Sequence, residues 1–71
     1  MEYVVVSYVN KRGVFIDGQF AGKTGETLLV EAGNHTFDLG ETQDYVPAKV
    51  EKVVQSTTSI SPLMIEEFHP K

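Results

Sequence analysis

Asp17-Gly18 stands between two short apolar runs, Val14-Phe15-Ile16 and Gln19-Phe20-Ala21, and no other feature constrains the fold as much. A two-residue turn whose twist matches that of its flanking strands needs positive φ at both positions, which Asp tolerates and Gly adopts freely. The segment therefore reads as a β-hairpin. Its register puts Ile16 opposite Gln19, Phe15 opposite Phe20 and Val14 opposite Ala21. Phe15 and Phe20 then form a cross-strand aromatic pair on one face, with Val14, Ile16 and Ala21 on the other.

Period two and turn chemistry continue along the chain, and helical periodicity is nowhere sustained. Tyr3 to Val9 reads as a strand and Asn10 to Gly13 as a turn. Leu28 to Val30 and His35 to Leu39 are strands joined through Ala32-Gly33-Asn34. Tyr45 to Val54 starts near Pro47, which suits an edge or a strand beginning. Ile60 to Phe68 closes the chain, with Pro62 inside it. Short strands separated by turns at this spacing predict an all-β fold: a small sandwich of about seven mostly antiparallel strands, with no substantial helix. No linker, repeat or low-complexity stretch divides residues 1–71, so one domain is expected. His35, Phe37 and Leu39 share a face, while Thr36 and Asp38 turn to water. The first strand is apolar on both faces, with Tyr3, Val5 and Val9 on one and Val4, Val6 and Tyr8 on the other. Such a strand is buried between layers or covered by a partner.

Size sharpens that last point. A chain of 71 residues buries only about 60% of the surface it exposes when unfolded, so its core is thin. With no cysteine there is no disulfide to compensate, and a homo-oligomer is the expected remedy. Ten acidic residues against six basic ones give a net charge of −4, and only Lys11-Arg12 places two cations together. No basic stripe could neutralise several phosphates, so nucleic acid and anionic membranes are not expected partners. No apolar run approaches the roughly 20 residues of a membrane span. Met1 to Val6 lacks the basic start and long apolar stretch of a secretory signal. A natural start at Met1 would place the product in the cytoplasm, whereas a module excised from a longer chain fits the cell surface or another extracytoplasmic site.

The segment Val14-Phe15-Ile16-Asp17-Gly18-Gln19-Phe20-Ala21-Gly22-Lys23-Thr24 resembles the core signature of PEGA domains: a short apolar strand, Asp-Gly, a second short strand and Gly-x-Thr-Pro. Leu28 to Val30, then Gly33-Asn34-His35-Thr36-Phe37-Asp38-Leu39, then Asp44-Tyr45 are similar to the strands and Gly-Tyr that follow it. The resemblance covers residues 14 to 68. It departs at Val9 to Arg12, where the tetrapeptide that names the family would fall, and at Gly25, where the family has proline. It implies a small β-sandwich of the kind found in bacterial and archaeal surface or multidomain proteins. It carries over no catalytic residue or cofactor, and implies a spacer or binding unit towards a protein or a cell-surface carbohydrate.

Reactive groups are sparse. Gly18 to Thr24 has three residues between its glycines where a phosphate loop needs four, and it does not open a helix. His35 and His69 lack the cysteine or histidine spacing of a metal site; His35 reads as a satisfied boundary residue and His69 as part of a frayed terminus. Asp17 is committed to its turn, and neighbouring Glu66 and Glu67 point to opposite faces, so neither those two nor Asp17 with Asp38 reads as an acid–base pair. Asn34-His35-Thr36 fits a glycosylation sequon in a tight turn. The expectation is a non-enzymatic interaction module. Its candidate surface is the Phe15/Phe20 pair with Tyr45 nearby, together with Tyr3 and Tyr8 of the first strand; the alternative is a carbohydrate-binding module using the same aromatic face.

Overall fold

A computed structural model describes all residues, 1–71. It contains nine strands and no helix: β1 (Glu2–Val6), β2 (Gly13–Ile16), β3 (Gln19–Lys23), β4 (Thr27–Val30), β5 (Gly33–Asp38), β6 (Tyr45–Val46), β7 (Val50–Val54), β8 (Leu63–Ile65) and β9 (His69–Pro70). They form a three-stranded sheet in the order β4-β1-β8, a four-stranded sheet in the order β3-β2-β5-β7, and the small β6-β9 ribbon. All pairings are antiparallel except that of β1 with β8. The all-β sandwich-like expectation is met.

The Asp17-Gly18 turn forms as its chemistry requires, with φ of 52° and 83° at the two residues. Ile16 faces Gln19 and Phe15 faces Phe20, but Val14 pairs with Gly22, not Ala21. Ala21 is the extra residue of a β-bulge and is exposed, so it does not share the inner face with Val14 and Ile16.

Other boundaries also differ from the sequence reading. β1 stops at Val6, and Val9 lies beyond it, 71% exposed. The Tyr45 to Val54 segment splits into β6 and β7 around Pro47, which has no N–H to give a ladder. Only Leu63–Ile65 of the last apolar run is a strand, and Ile60 stands free in solvent. The C-terminus is tied down: Val46 pairs with His69, Tyr45 with Pro70, and the Lys71 N–H donates to the Asp44 carbonyl at 3.1 Å.

The core follows from alternation. Val4 and Val6 of β1, Leu28 and Val30 of β4 and Ile65 of β8 turn inward from one sheet. Val14, Ile16, Phe37, Val50 and Val54 turn inward from the other, and Leu39, Tyr45 and Phe68 complete the same cluster. Total exposed surface is 4303 Å², close to the roughly 4,400 Å² expected of a folded monomer of this mass. The chain therefore closes on itself even with so thin a core.

Candidate functional site

Phe15 and Phe20 meet on the outer face of the four-stranded sheet. Their ring centroids are 5.8 Å apart at 75°, an edge-to-face pair. Phe15 is half-buried, whereas Phe20 is 61% exposed. The rings have room because glycines lie beneath them. A Cβ on Gly40 would come within 2.5 Å of Phe15, and one on Gly13 within 3.0 Å of Phe20. Gly40 also has φ of +70°. Gly40→Ala combines a left-handed penalty with a steric one and is expected to cost about 2–3 kcal/mol, measurable by urea denaturation.

Tyr45 is not part of this surface. It is only 2% exposed, and its hydroxyl accepts the Leu39 N–H at 3.2 Å and donates to the Gly40 carbonyl at 3.1 Å. Its ring packs edge-on against Phe68 and Tyr8, with centroids 5.6 and 6.4 Å away. Tyr8 is likewise packed against the core. The Arg12 guanidinium lies 5.1 Å from the Tyr45 ring centre and 5.9 Å from that of Tyr8. It donates to the Thr42 carbonyl at 2.7 Å and pairs with Asp44. Burial works against the Arg12 charge, but Asp44 and Tyr8 outweigh it and raise its pKa. Two of the five candidate residues, Tyr8 and Tyr45, thus bind an internal cation.

His35 is engaged at both ring nitrogens. Nδ1 lies 2.6 Å from Asp17 Oδ2, and Nε2 lies 2.6 Å from the Glu31 carbonyl. Asp17 Oδ1 also accepts the Thr36 N–H at 2.9 Å. A carbonyl can only accept, so Nε2 donates, and the Asp17 contact favours a second proton on Nδ1. The Asp17 hydrogen bond, reinforced by the Glu31 carbonyl, raises the His35 pKa above its ordinary 6.5. The Thr36 amide, then His35, lowers that of Asp17 below 3.8. The unit latches the hairpin turn to the start of β5, and no ring nitrogen is left to abstract a substrate proton.

The stabilising contribution of a raised histidine is complete below about 6.5 and is lost as pH climbs through its folded pKa. The Asp17 contribution is complete above 3.8 and fades as pH falls through its lowered value. Between about pH 6 and pH 9, the melting temperature of the wild type should therefore fall more steeply than that of His35→Gln, as read by circular dichroism.

An open cleft of about 340 Å³ lies where β3 and β4 approach each other from the two sheets, and Phe20, Ile16, Leu29, Val30 and His35 are among its walls. No three His, Cys, Asp or Glu side chains gather to hold a metal ion. No buried side-chain polar atom lacks a hydrogen-bond partner. Glu67 pairs with Lys52 at 2.5 Å, and Asn34 of the sequon donates to Glu51 at 2.7 Å.

Tyr3 sits elsewhere, on the outer face of the three-stranded sheet. It pairs with Leu29, while Val5 pairs with Thr27 on one side and Met64 on the other. Leu29 is 55% exposed and Met64 46%. These five side chains form a face without a single charge. Leu29 and Met64 were not singled out from the sequence, because β4 and the last apolar run gave no means of knowing which strands flank β1. No family model, curated protein or solved structure matches this chain.

Proposed function

We propose that the chain is a non-enzymatic interaction or scaffold module that self-associates through the outer face of the β4-β1-β8 sheet. The observation that carries the reading is the uncharged surface of Tyr3, Val5, Thr27, Leu29 and Met64 on a molecule of net charge −4. Two copies can lay these faces together without burying a carboxylate, and a contiguous apolar face is what association surfaces offer. The engaged nitrogens of His35 and the open shape of the cleft speak in the same direction, since acid–base chemistry needs a free titratable group in a desolvated site. On its pattern of turns and strands we group the module with PEGA domains. Leu29→Lys with Met64→Lys should abolish self-association in sedimentation equilibrium while the circular dichroism spectrum is kept. A double variant that associates as the wild type does would refute the face.

One observation favours a second reading, a carbohydrate-binding module. The Phe20 ring stands exposed on the edge of Phe15, a geometry that suits stacking on an apolar sugar face. Without Tyr45 this platform is two rings wide. Glycan-array binding that disappears in Phe20→Ala, with the fold retained, would support it.

A further inference from the structure

The two larger sheets have four edge strands, and three of these carry a device that discourages pairing. β3 has the bulge at Ala21. β7 has Glu51 and Lys52 at its centre. β8 is three residues long, with Pro62 just before it and Glu66-Glu67 just after. β4 has no bulge, no proline beside it and no charge within it. Thr27-Leu28-Leu29-Val30 contains no proline and no charge, and it runs in continuous register against β1 from Val5↔Thr27 to Glu2↔Val30. No other strand and no side chain bonds to its free side.

The two residues that bracket β4 are both acidic, Glu26 and Glu31. Glu31 is in no ion pair; Glu26 meets only Lys11, at 3.4 Å and with both side chains at least half exposed, a contact that contributes little. The nearby His35 charge is matched by Asp17. Full antiparallel overlap of β4 with β4 of a second copy would place Glu26 opposite Glu31 at both ends. Like charges directly opposite one another destabilise such a pair. A strand with a basic residue at each end reverses the sign of both contacts. Its residue opposite Val30 would reach the cleft that Val30, Ile16 and Phe20 line.

We infer that the β4 edge receives an extended segment of another protein by strand addition, with small apolar residues on the side facing the cleft and a Lys or Arg opposite each of Glu26 and Glu31. Main-chain hydrogen bonds along Thr27–Val30 supply affinity, the paired charges set register, and the alternation that turns the small apolar residues toward the cleft, opposite Leu28 and Val30, sets direction. The inference rests on the interaction reading, but it uses the strand edge where self-association uses the sheet face. Loss of self-association in Met64→Lys, on β8 at the far side of the sheet from β4, reports the latter alone, so the two can fail separately.

The test is a titration of the full chain, labelled with ¹⁵N, with the acetylated and amidated peptide Lys-Val-Thr-Val-Thr-Lys. Saturable shifts centred on Leu28, Leu29 and Val30 are expected, with exchange of β4 amides slowed at saturation. The affinity should drop about fivefold or more in Glu31→Lys, and similarly for a peptide ending in Glu in place of Lys. Absence of shifts at millimolar peptide, shifts centred on another edge, or equal binding of the Glu-ended peptide would each overturn the inference. So would β4 protection that rises with protein concentration alone and persists in Met64→Lys, which removes the face contact from β8, because a second copy would then hold the edge.

Discussion

Phe37→Ala should leave the chain largely unfolded at room temperature. Phe37 is the largest side chain with no exposed surface, next to the last residue of β5, and it joins the inward residues of both sheets. Truncating a buried phenylalanine costs about 3–5 kcal/mol, in part because the cavity does not collapse. A single core in a chain this short rarely supplies more than about 3–5 kcal/mol in all, so the loss matches the whole stability. Collapse of the near-ultraviolet circular dichroism and of amide dispersion in an NMR spectrum would register it. A cooperative melt within a few degrees of the wild type would mean that the core is centred elsewhere.

Arg12→Ala should cost about 3 kcal/mol in urea denaturation, and Asp44→Ala far less. Arg12 has two kinds of partner. Its ion pair with Asp44 faces solvent, the carboxylate side chain being 67% exposed, and such pairs contribute little. Its contacts with the Tyr8 and Tyr45 rings and with the Thr42 carbonyl belong to a side chain that is only 15% exposed as a whole. A desolvated cation–π contact is worth about 2 kcal/mol, and a charged hydrogen bond about 1.5–3 kcal/mol. The total falls short of their sum because neighbouring terms are not additive. Arg12→Lys should recover only part of the loss, since an ammonium cannot stack flat and donate to a carbonyl at once. Equal losses in Arg12→Ala and Asp44→Ala would assign the effect to the ion pair instead.

What the sequence disclosed follows from range. The Asp17-Gly18 turn, the Phe15/Phe20 pairing and the inward set Phe37 and Leu39 are local, fixed by φ preferences and a period of two. The bulge at Ala21 escaped because it depends on β2 and β3 meeting further up the ladder, where a Cβ on Gly22 would strike Leu28 at 2.5 Å. The role of Thr24 escaped for a related reason. Read only as part of a chain break, it is 3% exposed; its hydroxyl accepts the Arg12 N–H and donates to the Asn10 carbonyl, both at 2.9 Å. That bridge spans loops 12 and 14 residues apart, a separation that no period reports. Tyr45 was misplaced for the same cause: an aromatic beside a polar loop looks exposed until Arg12, Tyr8 and Phe68 are known to surround it. The uncharged face required the strand order β4-β1-β8, and the parallel β1–β8 pairing joins residues some 59 positions apart.

Self-association is the claim on which the functional account turns, and light scattering across a dilution series of the unmodified chain tests it most directly. The account predicts a dimer or larger species at micromolar concentration, with a mass that survives high salt because the contact is apolar. A species of monomer mass across the whole series would contradict it.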